Sequence, residues 1–245
     1  MTKERKLLVQ RLGLVDYESA LAIQKQTELA VKTGIQPDTL LLLEHPHTLT
    51  IGRRGDSSSV LLNEEQLHAR NVTLFETNRG GKVTYHGLGQ IVGYPIIDLS
   101  PDREDVHRYV RDLEEVLIRT MSDFGIEAFR ISGLTGVHTP RGKIAAIGVH
   151  ISRWVTTHGF ALNVNTDLSF FDLIIACEGE PVTSMEVLLG RETELSAVED
   201  RIIENFTDVF SYADNRTHQR STQPNRLAHS PHTRSDLAAI QRSRR

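Results

Sequence analysis

The chain has 245 residues, of which 39% are hydrophobic and 24% charged, with a formal net charge of −4 and a single cysteine. That length and apolar content support a full hydrophobic core, as one large domain or two small ones, and the composition argues against a disordered or fibrous chain. One cysteine excludes an internal disulfide, and the longest aliphatic run, the four leucines 40–43, falls far short of the roughly 18 apolar residues of a bilayer span.

The charge is unevenly spread. Seven arginines and two aspartates fall between Asp214 and Arg245, so this tail carries about +5 and the body about −9. Few apolar residues punctuate residues 213–245, and none is aromatic beyond histidine, so the tail is expected to be disordered and solvated rather than a nucleic-acid arm. The charged start, Met1-Thr2-Lys3-Glu4-Arg5-Lys6, leads into a mixed segment with no apolar export signal, and a cytoplasmic protein is expected.

In chain order, residues 7–14 read as a strand and 16–33 as a helix opened by an Asp cap and ended near Gly34. Residues 39–44 and 48–51 read as strands around the turn His45-Pro46-His47. Asn63 caps a short helix to Arg70, and 72–76 is a strand running into a glycine pair. A buried strand follows at 91–97. The clearest helix covers 105–124, where Val106, Val110, Leu113, Leu117, Met121 and Phe124 recur on one face, with Ser100-Pro101 as a start signal upstream. Residues 143–152 and 158–164 read as neighbouring strands joined around Trp154, and a last helix runs from 195 to 212 with Val198, Ile202, Phe206 and Val209 inward. These elements predict an α+β fold: a single domain with a mixed β-sheet flanked by helices, from about residue 7 to 212.

Two features carry chemistry. The run Arg79-Gly80-Gly81-Lys82-Val83-Thr84-Tyr85-His86-Gly87 joins a loop whose backbone can approach a ligand closely to a β-prone segment. Cys177 lies about ninety residues later and can act as a nucleophile, so together they point to acyl transfer through a thioester. Taken singly, each residue also has a plain structural role: a lone cysteine packs, His86 holds a turn, and the intervals of His45, His47, His138, His150 and His158 fit no compact metal-ligand set. No metal is expected.

Five ordered segments settle the weighting. Leu42-Leu43-Glu44-His45-Pro46, the 79–87 run, Gly142-Lys143-Ile144-Ala145-Ala146-Ile147-Gly148, Gly159-Phe160-Ala161-Leu162-Asn163-Val164-Asn165, and Ala176-Cys177 with Val182-Thr183-Ser184 resemble, in order and spacing, the lipoyl(octanoyl) transferases of the biotin/lipoate protein ligase superfamily. The resemblance implies a catalytic domain over 1–212 with its core from about residue 34, and it stops before the basic tail. It implies that an octanoyl (or lipoyl) group passes from the thioester of acyl carrier protein to Cys177. From there it passes to a lysine of apo lipoyl domains, those of 2-oxoacid dehydrogenases and the glycine cleavage H protein, in the first step of endogenous lipoate synthesis without a cofactor. Lys143 is then the cation that favours the Cys177 thiolate and the acid/base group of both steps. Arg79, Gly80, Gly81, Lys82, Val83, Thr84, Tyr85 and His86, with Ala146, Ile147, Gly148, Gly159, Phe160 and Ala161, are expected to line the acyl site. Oxyanion donors are sought either at Gly80-Gly81 or at Cys177-Glu178, and Arg53, Arg54, Arg79, Lys82 and Arg141 are the cations expected to meet acidic partner proteins.

The chain departs from the family pattern at Leu88 and Ala176, where proline is expected, and at Glu178, where glycine is. Two alternatives make different predictions: an ATP-dependent lipoate or biotin protein ligase needs no cysteine, and a non-catalytic acyl-carrier binding protein binds without turnover.

Overall fold

A computed structural model describes residues 5–175 and 181–213 and the backbone of Thr217–Arg220. Strand β1 (Leu7–Leu14) leads into helix α1 (Tyr17–Lys32), opened by Asp16, whose carboxylate accepts from the Ser19 amide at 2.9 Å. Strands β2 (Asp38–Glu44) and β3 (Thr48–Ile51) follow, then helix α2 (Glu64–His68), which starts with a reciprocal capping box between Asn63 and Gln66. Strands β4 (Thr73–Glu76), β5 (Val83–His86) and β6 (Gln90–Ile96) precede helix α3 (Val106–Asp123). The remainder is β7 (Val137–Thr139), β8 (Gly142–Ser152), β9 (Val155–Asn163), α4 (Met185–Leu189), α5 (Leu195–Val209) and β10 (Thr217–Arg220).

The strands form a seven-stranded mixed sheet, in the order β10-β1-β2-β6-β9-β8-β7, and a three-stranded sheet, β4-β3-β5. The mixed sheet flanked by helices is therefore present, with a second, smaller sheet beside it. In β2 the four leucines alternate between two cores, because successive side chains of a strand point to opposite faces. Leu40 and Leu42 join the layer under α3 and α5, with Leu113, Leu117, Ile202 and Phe206. Leu41 and Leu43 join the layer under α1, with Ala20, Val92 and Tyr94. A third cluster, including Leu49, Val83, Tyr85 and Ile174, underlies the small sheet.

Several boundaries differ from the sequence reading. Helix α3 is capped by Asp105, with Ser100-Pro101 in the preceding turn, and it buries Tyr109, Val116 and Thr120 alongside Leu113, Leu117 and Met121, so its inward face is rotated from the expected one. Val106, expected inward, is 43% exposed. Strand β9 begins three residues earlier than expected, because β8 and β9 are joined by Arg153 and Trp154 alone, both at positive φ. In the tail expected to lack structure, the backbone of Thr217–Arg220 pairs in parallel with β1. Cys177 and its neighbours Ala176 and Glu178 lie outside the described residues, as does the rest of the tail. No helix among the described residues is long and apolar enough to cross a membrane.

Candidate active site

The segments singled out in the sequence converge through strand register. Strands β8 and β9 pair Ala146 with Ala161, Ile147 with Phe160, and Gly148 with Gly159. The glycine loop lies across this ladder, with the Gly80 amide donating to the Val149 carbonyl at 2.9 Å. A Cβ on Gly148 would stand 2.7 Å from the Gly80 carbonyl oxygen, so that close approach requires glycine. On the far side, the loop is hydrogen-bonded to Gly52, Arg53 and Arg54, whose amides donate to the carbonyls of Lys82, Arg79 and Gly81.

These elements surround a cavity of about 440 Å³, within the range of about 300–1,000 Å³ usual for small-molecule sites. Arg79, Gly80, Gly81, Lys82, Val83, Thr84, His86, Ala146, Ile147, Gly148, Gly159, Phe160 and Ala161 all line it, as does Lys143. Tyr85 does not. Strand alternation turns it into the core of the small sheet, where its hydroxyl bonds His47 Nδ1 at 2.7 Å and its ring stacks on Phe170. Two further expectations change. The Gly80 amide is already spent on Val149 and is not an oxyanion donor. Arg79 is 7% exposed and faces inward, so it does not belong to a docking surface. Arg54 and Lys82 do reach the cavity lining, and Arg53 is exposed beside them.

Arg79 anchors a hydrogen-bond chain that sequence reasoning missed. Its guanidinium donates to Thr50 Oγ1 from Nε (3.1 Å) and Nη2 (2.8 Å), and to the Thr50 carbonyl (2.6 Å). With its oxygen thus accepting twice, Thr50 donates its own proton toward His86 Nε2 at 3.5 Å. His86 Nδ1 donates to Gln90 Oε1 at 2.9 Å. Gln90 Nε2 donates to the Tyr85 carbonyl and to Asn163 Oδ1, and Asn163 Nδ2 donates to the Thr183 carbonyl at 3.1 Å. The direction of each bond follows from the one before it, and it requires a neutral His86. Burial first, then unfavourable electrostatic interaction with His45 and with the Arg79 guanidinium, hold that imidazole well below its ordinary pKa.

Two more histidines share this environment. His45 bonds the Val15 carbonyl and the Tyr94 hydroxyl, and burial pushes its pKa down to about 4. His158, bonded to Asn78, is pushed down to about 3 by burial and by Arg79. Arg79, His86, Asn163 and Thr183 fall inside the segments singled out in the sequence, and Gln90 lies four residues after His86, but nothing in the sequence shows that they bond to one another or through Thr50.

Lys143 stands at the other end of the chain of bonds. Its amide donates to the Pro181 carbonyl at 2.8 Å, and its carbonyl accepts from the Thr183 amide at 3.0 Å, a parallel bridge to Val182. On the other side of the stretch carrying Cys177, the Ile175 amide donates to the Ser59 carbonyl at 2.8 Å and Ile174 pairs with Val60. Both flanks of the stretch carrying Cys177 are thus fixed, one by the loop after β3 and the other by Lys143 itself.

The family model for the lipoyl protein ligase A/B catalytic domain matches residues 16–207, a span that takes in every cavity residue described. The chain belongs to the lipoyl protein ligase A/B catalytic domain family. An octanoyltransferase of Solibacter usitatus is 51% identical over 209 residues, covering 85% of this chain and 94% of its own. An octanoyltransferase of Christiangramia forsetii is 45% identical over 221 residues, covering 82% and 94%. A bipartite lipoate protein ligase of Thermoplasma acidophilum has the same fold, with a TM-score of 0.71 at 15% identity over 89% of this chain and 88% of that one. Within this family fold, the cavity between the glycine loop and the β8–β9 ladder is the place where sequence and geometry agree.

Proposed function

We propose that this chain is an octanoyltransferase that moves an octanoyl group from a carrier-protein thioester to a lipoyl-domain lysine through a covalent Cys177 intermediate. Relatives named octanoyltransferase, 44–51% identical over most of the chain, support the acyltransferase activity. One observation carries the finer reading. Lys143 lines the cavity and is bonded through its backbone to Pro181 and Thr183, so the residue four positions after Cys177 is tied to the proposed acid/base group.

The cycle balances without ATP. The Cys177 thiolate attacks the carrier thioester, the carbon–sulfur bond to the carrier breaks, and the leaving thiolate takes a proton from the Lys143 ammonium. A neutral acceptor lysine then attacks the enzyme thioester and gives its proton to the now neutral Lys143, while Cys177 departs as thiolate. The first step exchanges one thioester for another and the second forms an amide, so the sequence runs downhill. Small residues at Ala146 and Ala161 leave width for an aliphatic chain, and Arg53, Arg54 and Lys82 at the glycine-loop end suit acidic partners such as acyl carrier protein and the acceptor lipoyl domains.

Intact-mass spectrometry after mixing with octanoyl-acyl carrier protein tests the reading. A hydroxylamine-sensitive octanoyl adduct is expected on the native chain, absent in Cys177→Ser and at least tenfold slower to form in Lys143→Ala. ATP-dependent octanoylation that is indifferent to Cys177→Ser would overturn it in favour of a ligase, and carrier binding without any adduct would leave only a binding protein.

A further inference from the structure

Lys143 is shaped from the side away from Pro181 by residues with no counterpart among the segments above. Gly136 sits one residue before β7, at φ +124°, a conformation that favours glycine. A Cβ there would stand 2.7 Å from Lys143 Cε, 3.4 Å from Lys143 Nζ and 2.6 Å from the Ala145 carbonyl oxygen. The bare backbone of Gly136 is therefore the surface along which the end of the lysine side chain lies. Gly133, Leu134 and Thr135, just before it, line the cavity.

What holds Gly136 there is a buried carboxylate. Glu114, on α3, is fully buried. Its Oε1 accepts from the Gly136 amide at 3.1 Å, while Oε2 accepts from Arg111 Nη1 at 2.8 Å and Arg130 Nε at 3.1 Å. Arg130 is fixed in turn by the Arg111 carbonyl and by Glu115. A glutamate is an unusual occupant of a helix's core face, and burying a carboxylate is costly unless it is compensated in this way. Among the described residues, its one hydrogen bond outside the arginine pair is from the amide that backs Lys143.

We propose that Glu114 and Gly136 are positioning residues for the Lys143 ammonium: Glu114 fixes the Gly136 backbone, and Gly136, by having no side chain, fixes where the lysine's charged end can lie. The inference rests on the role assigned to Lys143 under the proposed function. In Gly136→Ala the added methyl crowds the Ala145 carbonyl and displaces Lys143 Cε, which moves the ammonium, so the thiolate it favours is lost. In Glu114→Gln the neutral amide holds Gly136 and two guanidiniums more weakly, and the same effect appears in smaller measure.

The test is the pH dependence of Cys177 alkylation by iodoacetamide, which reports one thiol because the chain has one cysteine. It is read alongside kcat and KM for octanoyl-acyl carrier protein, on variants whose folding is checked by circular dichroism. The expected result is a rise in the alkylation midpoint for Gly136→Ala and Glu114→Gln toward that of Lys143→Ala. A tenfold or greater loss of kcat in Gly136→Ala should accompany it, with KM changed less than twofold. Gly125→Ala, another positive-φ glycine but with nothing within 4 Å of an added Cβ, is the control for backbone strain and keeps the native midpoint. If Lys143→Ala raises the midpoint and neither Gly136→Ala nor Glu114→Gln does, the positioning inference is wrong. If Lys143→Ala leaves it unmoved, the role given to Lys143 has failed, and the inference falls with it. Should Gly136→Ala not fold, Glu114→Gln decides by the same criterion.

Discussion

Asn163 is where the two halves of the site meet. It accepts from Gln90, on the side of His86 and Arg79, and donates to the Thr183 carbonyl, on the side of Lys143. Asn163→Asp keeps the size and the acceptor but loses the donor, setting a carboxylate against a carbonyl in a buried place. Leaving such a group unsatisfied costs about 1–3 kcal/mol. A fall in thermal midpoint and a slower acylation of Cys177 are therefore expected. Unchanged acylation in the mass assay would show that the Thr183 segment is held well enough by Lys143 alone. Arg79 belongs to the same chain of bonds, and its planar fork binds both oxygens of Thr50, which a lysine cannot reproduce. Arg79→Lys should raise KM for the acyl donor tenfold or more by loosening the glycine loop, a change that steady-state kinetics reads directly.

Among the elements, the decisive contact is the glycine loop on β8. Gly148→Ala would drive its methyl into the Gly80 carbonyl and strain the Gly80–Val149 bond. Activity is expected to fall at least tenfold with little loss of stability, since β8 keeps its pairing with β9; equal activity would mean that the loop position does not matter. The strands and helices nearest this contact are legible because their signals are local: Asp16 and Asn63 as caps, the run of leucines in β2, the glycine pair before β5. Other features were not. The hairpin between β8 and β9 turns on Arg153-Trp154, which lacks the Asn-Gly or Gly signature of a two-residue turn, so nothing in the sequence marks β9 as starting at Val155 rather than at His158. The short α4, with Ser184 as cap and Gly190 at its end, is one turn long and has too few residues to show a period. The motif runs through Tyr85 and so points it to the acyl site, and only the pairing of β5 with β3 decides which face it takes. Of the site, the lining residues followed from the resemblance, whereas Thr50, Gln90 and Asn163 act through contacts between distant strands that no single segment displays.

Across the whole molecule, the three buried neutral histidines set an acid limit. His45 and His158 titrate at about 4 and 3 in the folded chain, and His86 also lies well below its ordinary value, all chiefly through burial. Unfolded histidine titrates near 6.5, so between that pH and the folded values the unfolded chain binds more protons, and stability rises with pH. The contribution is fully present above about pH 6.5 and is lost as pH falls below it, at up to about 1.4 kcal/mol per pH unit for each histidine. Thermal midpoints should be nearly level from pH 8 to 7 and drop steeply from 6.5 to 5, above the range in which carboxylates protonate. A midpoint still level at pH 5 would mean that these imidazoles are not neutral in the folded chain.

The pairing of β10 with β1 bears on the behaviour of the chain in solution. At one border of the large sheet stands β7, three residues long; at the other, β10 covers the backbone of β1 from Leu8 to Arg11. Without residues beyond 213, β1 would become the border itself, an eight-residue strand whose hydrogen-bonding groups are open to any matching strand. A chain shortened at Ala213 should therefore keep its chemistry and lose its monodispersity, and light scattering at rising concentration would show self-association that the 245-residue chain resists.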